Sequence, residues 1–325
     1  MKDYNLVSRF KFPLILNLKK TLPNLSLFQP PASQQIYKSS PSCEYCGLSI
    51  EEYFSKRFTY QSLEAWVQQI KNGDIFVNGV TAETGYILKA GDRIVTHAGI
   101  RQEPPADRRM TVIYEDLDIR VFNKPAPIPV HPSGRYFQNS MTEVLKQLYP
   151  EEIPRPVQRL DAITTGIIVF ARTREAAAAL MEEFQSHRIK KEYLAMVEGK
   201  PKEKKFFIDA PIGVLKGSHR GVGDLVEKAK PAKTKIQWLS SKNGRSLLKV
   251  VPLSGRTNQI RVHLSSYGLP IYNDKVYGQG NDENFQYGLH AWSLEFKYLG
   301  RTMKFKVKPP MHFQPLLEAA KIKIQ

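Results

Sequence analysis

Between Gln61 and Ile70 the apolar positions fall at Leu63, Trp66, Val67 and Ile70, which is the i, i+3, i+4, i+7 spacing of an amphipathic helix. Asn72-Gly73 stops it, and Ile75-Phe76-Val77 then reads as a short β-branched strand. Asn78-Gly79 supplies a hairpin turn, and Leu88 to Val95 carries a further turn and strand. With a shorter helical stretch from Ile50 to Phe54, residues 47–98 form a compact helix-plus-hairpin domain. Residues 1–46 differ, alternating short apolar runs with proline breaks at Leu22-Pro23 and Pro30-Pro31. They read as an irregular extension, poorly ordered in part.

Beyond a linker containing Pro104-Pro105 the pattern becomes strand-rich, and a larger domain is expected over 110–325. Thr111 to Tyr114, Ile119 to Phe122, Ile167 to Ala171 and Tyr193 to Val197 read as strands, and Lys235–Leu239 with Leu247–Val251 as a hairpin around Asn243-Gly244. Thr173 to Ser186 predicts a helix capped by Thr173, and Thr257 to Tyr267 another, stopped by Gly268 and Pro270. Strands interspersed with helices give an α+β class. The lysine-rich stretch from Lys200 to Lys235 reads as a solvated or polyanion-facing surface.

Composition sharpens this picture. A chain of 325 residues with 42% apolar positions can bury a sizeable core, and its formal net charge of +17 is spread along the whole length. A basic surface so distributed favours a polyanionic partner, with nucleic acid ahead of membrane. No apolar run approaches the roughly 20 residues of a bilayer span. Pro13 and Asn17 interrupt the early apolar run, so a cytoplasmic protein is expected, although the basic, acid-poor start leaves an organelle address open. Cys43 and Cys46 are half of a zinc site and read as two reduced thiols. No metal site is expected.

The most informative stretch is Arg159-Leu160-Asp161-Ala162-Ile163-Thr164-Thr165-Gly166, which sets one carboxylate in a turn directly before an apolar strand. Ordered loops on sheets are where catalytic groups concentrate, although Asp161 alone also fits a turn cap or a pair with Arg159. It is followed in order by Lys191-Glu192-Tyr193-Leu194-Ala195 and by Gly255-Arg256-Thr257-Asn258-Gln259-Ile260-Arg261-Val262-His263-Leu264. Together with Asn123-Lys124-Pro125 and the run from Val130 to Tyr136, these motifs resemble the RluA-type pseudouridine synthases from about Met110 onward. The segment 47–98 resembles the small RNA-binding domain that a ribosomal small-subunit protein shares with many of them.

The resemblance implies a mixed, mostly antiparallel sheet with flanking helices forming an RNA cleft. It implies isomerisation of uridine to pseudouridine in tRNA or rRNA by a monomer, with base flipping, no cofactor and no metal. Asp161 takes the role of catalytic carboxylate, Arg261 of its basic partner, and Tyr193 of a group lying against the target base. Leu264 would wall the base pocket, and by periodicity is equally a core leucine. Arg159 would refill the gap left by the everted base or clamp a phosphate. Lys124, Arg135, Lys190, Lys191 and Arg256 are expected as RNA-backbone contacts, each also readable as a solvated charge.

Three positions depart from the family pattern: Gln158 and Asn258 stand where His is usual, and Thr165 where Ser is usual. All three keep hydrogen-bonding capacity. A protein of the same fold that binds RNA without catalysis is therefore the alternative, and hydrolysis of an N-glycosidic bond with release of uracil is a third reading.

Overall fold

A computed structural model describes residues 27–186, 188–280 and 286–322. The chain divides into two compact units, one being Pro30–Glu103 and the other containing Pro104 onward. The part of the expected irregular extension before residue 27 lies outside the described residues.

In the smaller unit, helices α1 (Ile50–Arg57) and α2 (Leu63–Lys71) pack on a sheet of β1 (Ser33–Ser39), β2 (Ile75–Val77), β3 (Val80–Thr81) and β4 (Ile94–Arg101), in the order β1-β4-β2-β3. Ser49 and Glu52 close a capping box on α1, and the Ser62 side chain caps α2. Trp66 and Ile70 from α2 join Ile50, Tyr53 and Phe54 from α1 over Ile75, Val77 and Ile94. The expectation of an irregular extension over 1–46 is corrected at β1, which pairs antiparallel with β4. That strand, Ser-Gln-Gln-Ile-Tyr-Lys-Ser, buries little besides Gln35, so it carries no apolar alternation to announce it.

The larger unit is built on a ten-stranded sheet. Its strands are β5 (Thr111–Glu115), β6 (Ile119–Lys124), β7 (Arg155–Pro156), β8 (Thr165–Ala171), β9 (Lys190–Glu198), β10 (Lys205–Asp209), β14 (Lys233–Lys242), β15 (Arg245–Pro252), β16 (Leu289–Tyr298) and β17 (Arg301–Lys306). The path runs β10-β14-β15-β9-β16-β8-β6-β5, with β17 on β16 and β7 on β8, and only the β16–β8 pair is parallel. The sheet is thus mixed and mostly antiparallel. A separate three-stranded sheet joins β11 (Ile212–Lys216), β12 (His219–Gly221) and β13 (Glu227–Lys230).

Strand alternation decides which helix covers which face. Ile167 and Val169 of β8 share a cluster with Ala176, Ala177 and Leu180 of α4 (Arg174–Gln185), while Ile168 and Phe170 share one with Val144 and Leu145 of α3 (Met141–Leu148). Likewise Ala195 and Val197 of β9 meet Ile260 and Leu264 of α5 (Gln259–Ser266), and Leu194 and Met196 meet Leu316 and Leu317 of α6 (Gln314–Ala319). Thr173 caps α4 as its position predicts. Gly166, at φ 113°, has no room for a side chain, since a Cβ there would lie 2.2 Å from the Ala291 carbonyl oxygen. That close approach is what lets β16 run parallel beside the start of β8.

Candidate active site

The turn before β8 is built first by backbone. The Thr164 amide donates to the Asp161 carbonyl at 3.1 Å, and the Ile128 amide donates to the Ala162 carbonyl at 2.9 Å. A buried cation completes it: the Lys124 ammonium donates to the carbonyls of Pro125, Ala162 and Thr164 at 2.9, 3.0 and 2.8 Å. Lys124 is 0% exposed, so it cannot touch an RNA phosphate. The expectation for this residue is corrected: it ends β6 facing inward and ties down the loop that presents Asp161. Burial pulls its pKa down to about 7, against the opposing pull of the Asp161 and Asp107 charges.

The Asp161 side chain, 35% exposed, opens onto a cleft of about 840 Å³. Arg261 meets it from α5, with Nη1 donating to Asp161 Oδ2 at 3.1 Å. The guanidinium is fixed from its other side by a fork onto Asp274, with Nε to Oδ2 at 2.8 Å and Nη2 to Oδ1 at 2.9 Å. Asp274 is fully buried and also accepts from the Tyr287 hydroxyl and from the amides of Val276 and Tyr277. Despite burial, which opposes its charge, these donors and Arg261 hold its carboxyl below the usual range. The Tyr277 ring lies 4.9 Å from the guanidinium carbon. Asn258, in the left-handed region at φ 56°, bridges Arg261 Nη1 and the Tyr277 hydroxyl.

Tyr193 of β9 lines the same cleft, and burial together with the Asp161 charge pushes its hydroxyl well above the ordinary phenol range. It is therefore a neutral phenol at physiological pH. Arg159 and Arg135 are exposed on the rim, Arg256 is half-buried with its Nε on the Pro231 carbonyl, and Lys191 lines the wall. Two expected contacts fall elsewhere. Leu264 is fully buried and does not line the cleft, because it lies one turn beyond Ile260 and packs on Ala195, Val197 and Leu248 of the sheet. Ile260 and Leu289 supply apolar wall instead. Lys190 points away, paired with Glu295 at 2.6 Å.

The three departures from the family pattern each have a partner. Gln158 donates to the Ile167 carbonyl, Thr165 bonds the buried His290 Nδ1 at 2.8 Å, and Asn258 holds Arg261 and Tyr277 as described. Sequence reasoning missed Asp274, Tyr277 and Tyr287, whose only signal was an Asn-Asp turn followed by two tyrosines. It also passed over His131 as a cleft residue. Among the described residues no cluster of His, Cys, Asp or Glu could hold a metal, and Cys43 and Cys46 are free thiols. No helix among them is long and apolar enough to cross a membrane.

Comparison with known proteins places the chain in a family. Residues 118–266 match the RNA pseudouridylate synthase family model. The mitochondrial tRNA pseudouridine(32) synthase of Saccharomyces cerevisiae is 36% identical over 236 residues, covering 71% of this chain and 50% of its own length. This chain thus spans half of that relative. Ribosomal large subunit pseudouridine synthase D of Nitrosomonas europaea is 30% identical over 295 residues, covering 84% of each chain. The solved structure of human RNA pseudouridylate synthase domain containing 1 superposes with a TM-score of 0.57 at 24% identity, over 68% of this chain and 98% of that one. With that fold, the matched segment containing both Asp161 and Arg261, and similarity along 84% of a bacterial synthase, the chain belongs to the RNA pseudouridylate synthase family.

Proposed function

We propose that this protein isomerises uridine to pseudouridine in structured RNA, with Asp161 as the catalytic carboxylate. The observation that carries the reading is a half-open aspartate, bonded to a buried arginine, on the floor of a cleft wide enough for a nucleotide. The reaction breaks the bond from the ribose anomeric carbon to uracil N1 and makes one to C5, with the C5 proton lost and N1 protonated. Atoms balance without an oxidant or a transferred group, so no cofactor is required. Asp161 acts on the sugar or on its proton as a charged carboxylate, and Arg261, locked by Asp274, holds it in place. Tyr193, a neutral phenol facing the same cleft, stacks on the base.

Eversion of the uridine costs about a few kcal/mol, and Arg159 at the rim is placed to fill the vacated position. Arg135, Arg256 and Lys191 contact backbone phosphates, so binding should weaken steeply with salt. The smaller unit adds a second RNA-binding surface, in keeping with Lys38, Lys56, Arg57, Lys71 and Arg93 within it. The yeast relative's name points to tRNA and the bacterial one's to ribosomal RNA, and we place the substrate among these two classes. The protein acts as a monomer in the cytoplasm, and a reporter fused to residues 1–46 tests that compartment against an organelle.

The test is incubation with tRNA and rRNA carrying uridine tritiated at C5. Isomerisation sends tritium to water while the chain stays intact. Release of free uracil would show hydrolysis instead, and RNA binding with neither product would show a pure binder.

A further inference from the structure

The cleft does not end at the catalytic aspartate. Phe184, Lys191 and Pro252 line both it and a second cavity of about 430 Å³ on the far side of Lys191. The wall of this second cavity carries Lys190, Lys191, Lys235 and Lys249 against a single carboxylate, Glu192. Lys249 pairs with Glu192 at 3.1 Å and Lys190 with Glu295 at 2.6 Å. Among the described residues, Lys191 and Lys235 have no carboxylate partner. Apolar wall comes from Phe184 and Val251.

Resting on the function proposed above, we propose that this lysine-lined cavity seats the nucleotide next to the target uridine, its phosphodiester held by Lys191, Lys235 and Lys249. Lys191 is central to this seat. It stands between the two cavities, and burial draws its ammonium below the usual lysine range. A half-buried cation without a counter-ion gains when an anion arrives, and continuity with the cleft makes the RNA strand itself the nearest source. The mixed lining suits a nucleotide, with apolar surface for a base face and ammonium groups for the phosphate. An isolated phosphate would need no apolar wall, and an acidic peptide would have no reason to reach into the catalytic cleft.

The experiment measures affinity and turnover of the full-length chain on a pool of unmodified tRNA transcripts, at several salt concentrations. Lys235→Ala and Lys249→Ala should each weaken binding two- to five-fold and raise KM with kcat unchanged. Each should also lower the slope of log affinity against log salt by about 0.7. Lys235→Arg should restore both values, which a fold defect would not allow, and Lys146→Ala, on α3 outside both cavities, should change neither. Modification by wild type together with unchanged affinity and slope in both alanine variants would overturn the cavity proposal alone. Absence of any modification or RNA binding by wild type would overturn the functional reading beneath it.

Discussion

Replacing Lys124 by Met keeps a flexible side chain of similar length in the core and removes the ammonium that gathers the carbonyls of Pro125, Ala162 and Thr164. The Ala162 carbonyl retains the Ile128 amide, but the other two lose the donor that satisfies them. Each buried carbonyl so orphaned costs about 1–3 kcal/mol. Against this stands the cost the wild type bears for keeping a cation away from water. Because burial lowers the Lys124 pKa from 10.5 to about 7, the unfolded chain binds the proton more tightly between those values. Wild-type stability therefore climbs with pH across that window, while the Met variant gains nothing from this site. At about 1.4 kcal/mol per unit of slope, the wild type should gain about 2 kcal/mol on the variant between pH 7 and pH 9. Urea unfolding of both proteins at the two pH values measures it. Parallel pH dependences would refute the placement of a titrating lysine in this loop. The variant should also lose turnover at pH 7 more than RNA affinity, since what it loosens is the turn that presents Asp161.

Asp274→Asn removes the charge that forks Arg261, and breaking one partner of a buried pair costs about 3–5 kcal/mol, so a lower midpoint in urea is expected, with turnover falling about 100-fold or more. The Asp274 pKa lies below its unfolded value, so the stability it supplies is present at neutral pH and is lost as pH falls through the folded pKa. Gly166→Ala should cost about 3 kcal/mol or more, because the added methyl meets the Ala291 carbonyl at a φ that side chains avoid, and a thermal melt equal to wild type would contradict that contact. His290 is buried with its pKa pushed down to about 4, so its neutral ring favours the folded state above pH 6.5 and this stability drains away as pH falls toward 4. Between pH 6.5 and 4.5 the wild type should lose about 2 kcal/mol more than His290→Gln, measured by urea unfolding, and equal losses would count against a buried neutral ring.

The candidate site was legible because its members sit in long, ordered motifs: Asp161 before a β-branched strand, Tyr193 opening another, Arg261 on a helix stopped by Gly268. What the sequence hid was burial of polar groups. Lysine is so rarely enclosed that Lys124 read as a surface cation, and only the three-carbonyl nest reveals otherwise. Leu264 shares a helix with Arg261, but only the first turn of that helix reaches the cleft while Leu264 packs into the sheet, so a shared face did not mean a shared cavity. Asp274 supports the site from a loop whose turn chemistry carries no mark of its partner 13 residues earlier. The sheet of β11, β12 and β13 went unnoticed for a different reason: strand β13, Glu-Lys-Ala-Lys, is exposed at every position, so neither face leaves a hydrophobic trace. Strand β1 escaped in the same way.

The isomerisation proposed above depends on the Asp161 carboxylate at the cleft. Asp161→Asn preserves the shape of the side chain and removes its charge. Pseudouridine should be mapped by carbodiimide-dependent reverse-transcription stops in tRNA and rRNA exposed to each protein, with affinity for the same RNA measured in parallel. New stops are expected with the wild type, none with Asp161→Asn, and affinities within a few-fold of each other. Stops of equal strength from the variant would contradict that dependence.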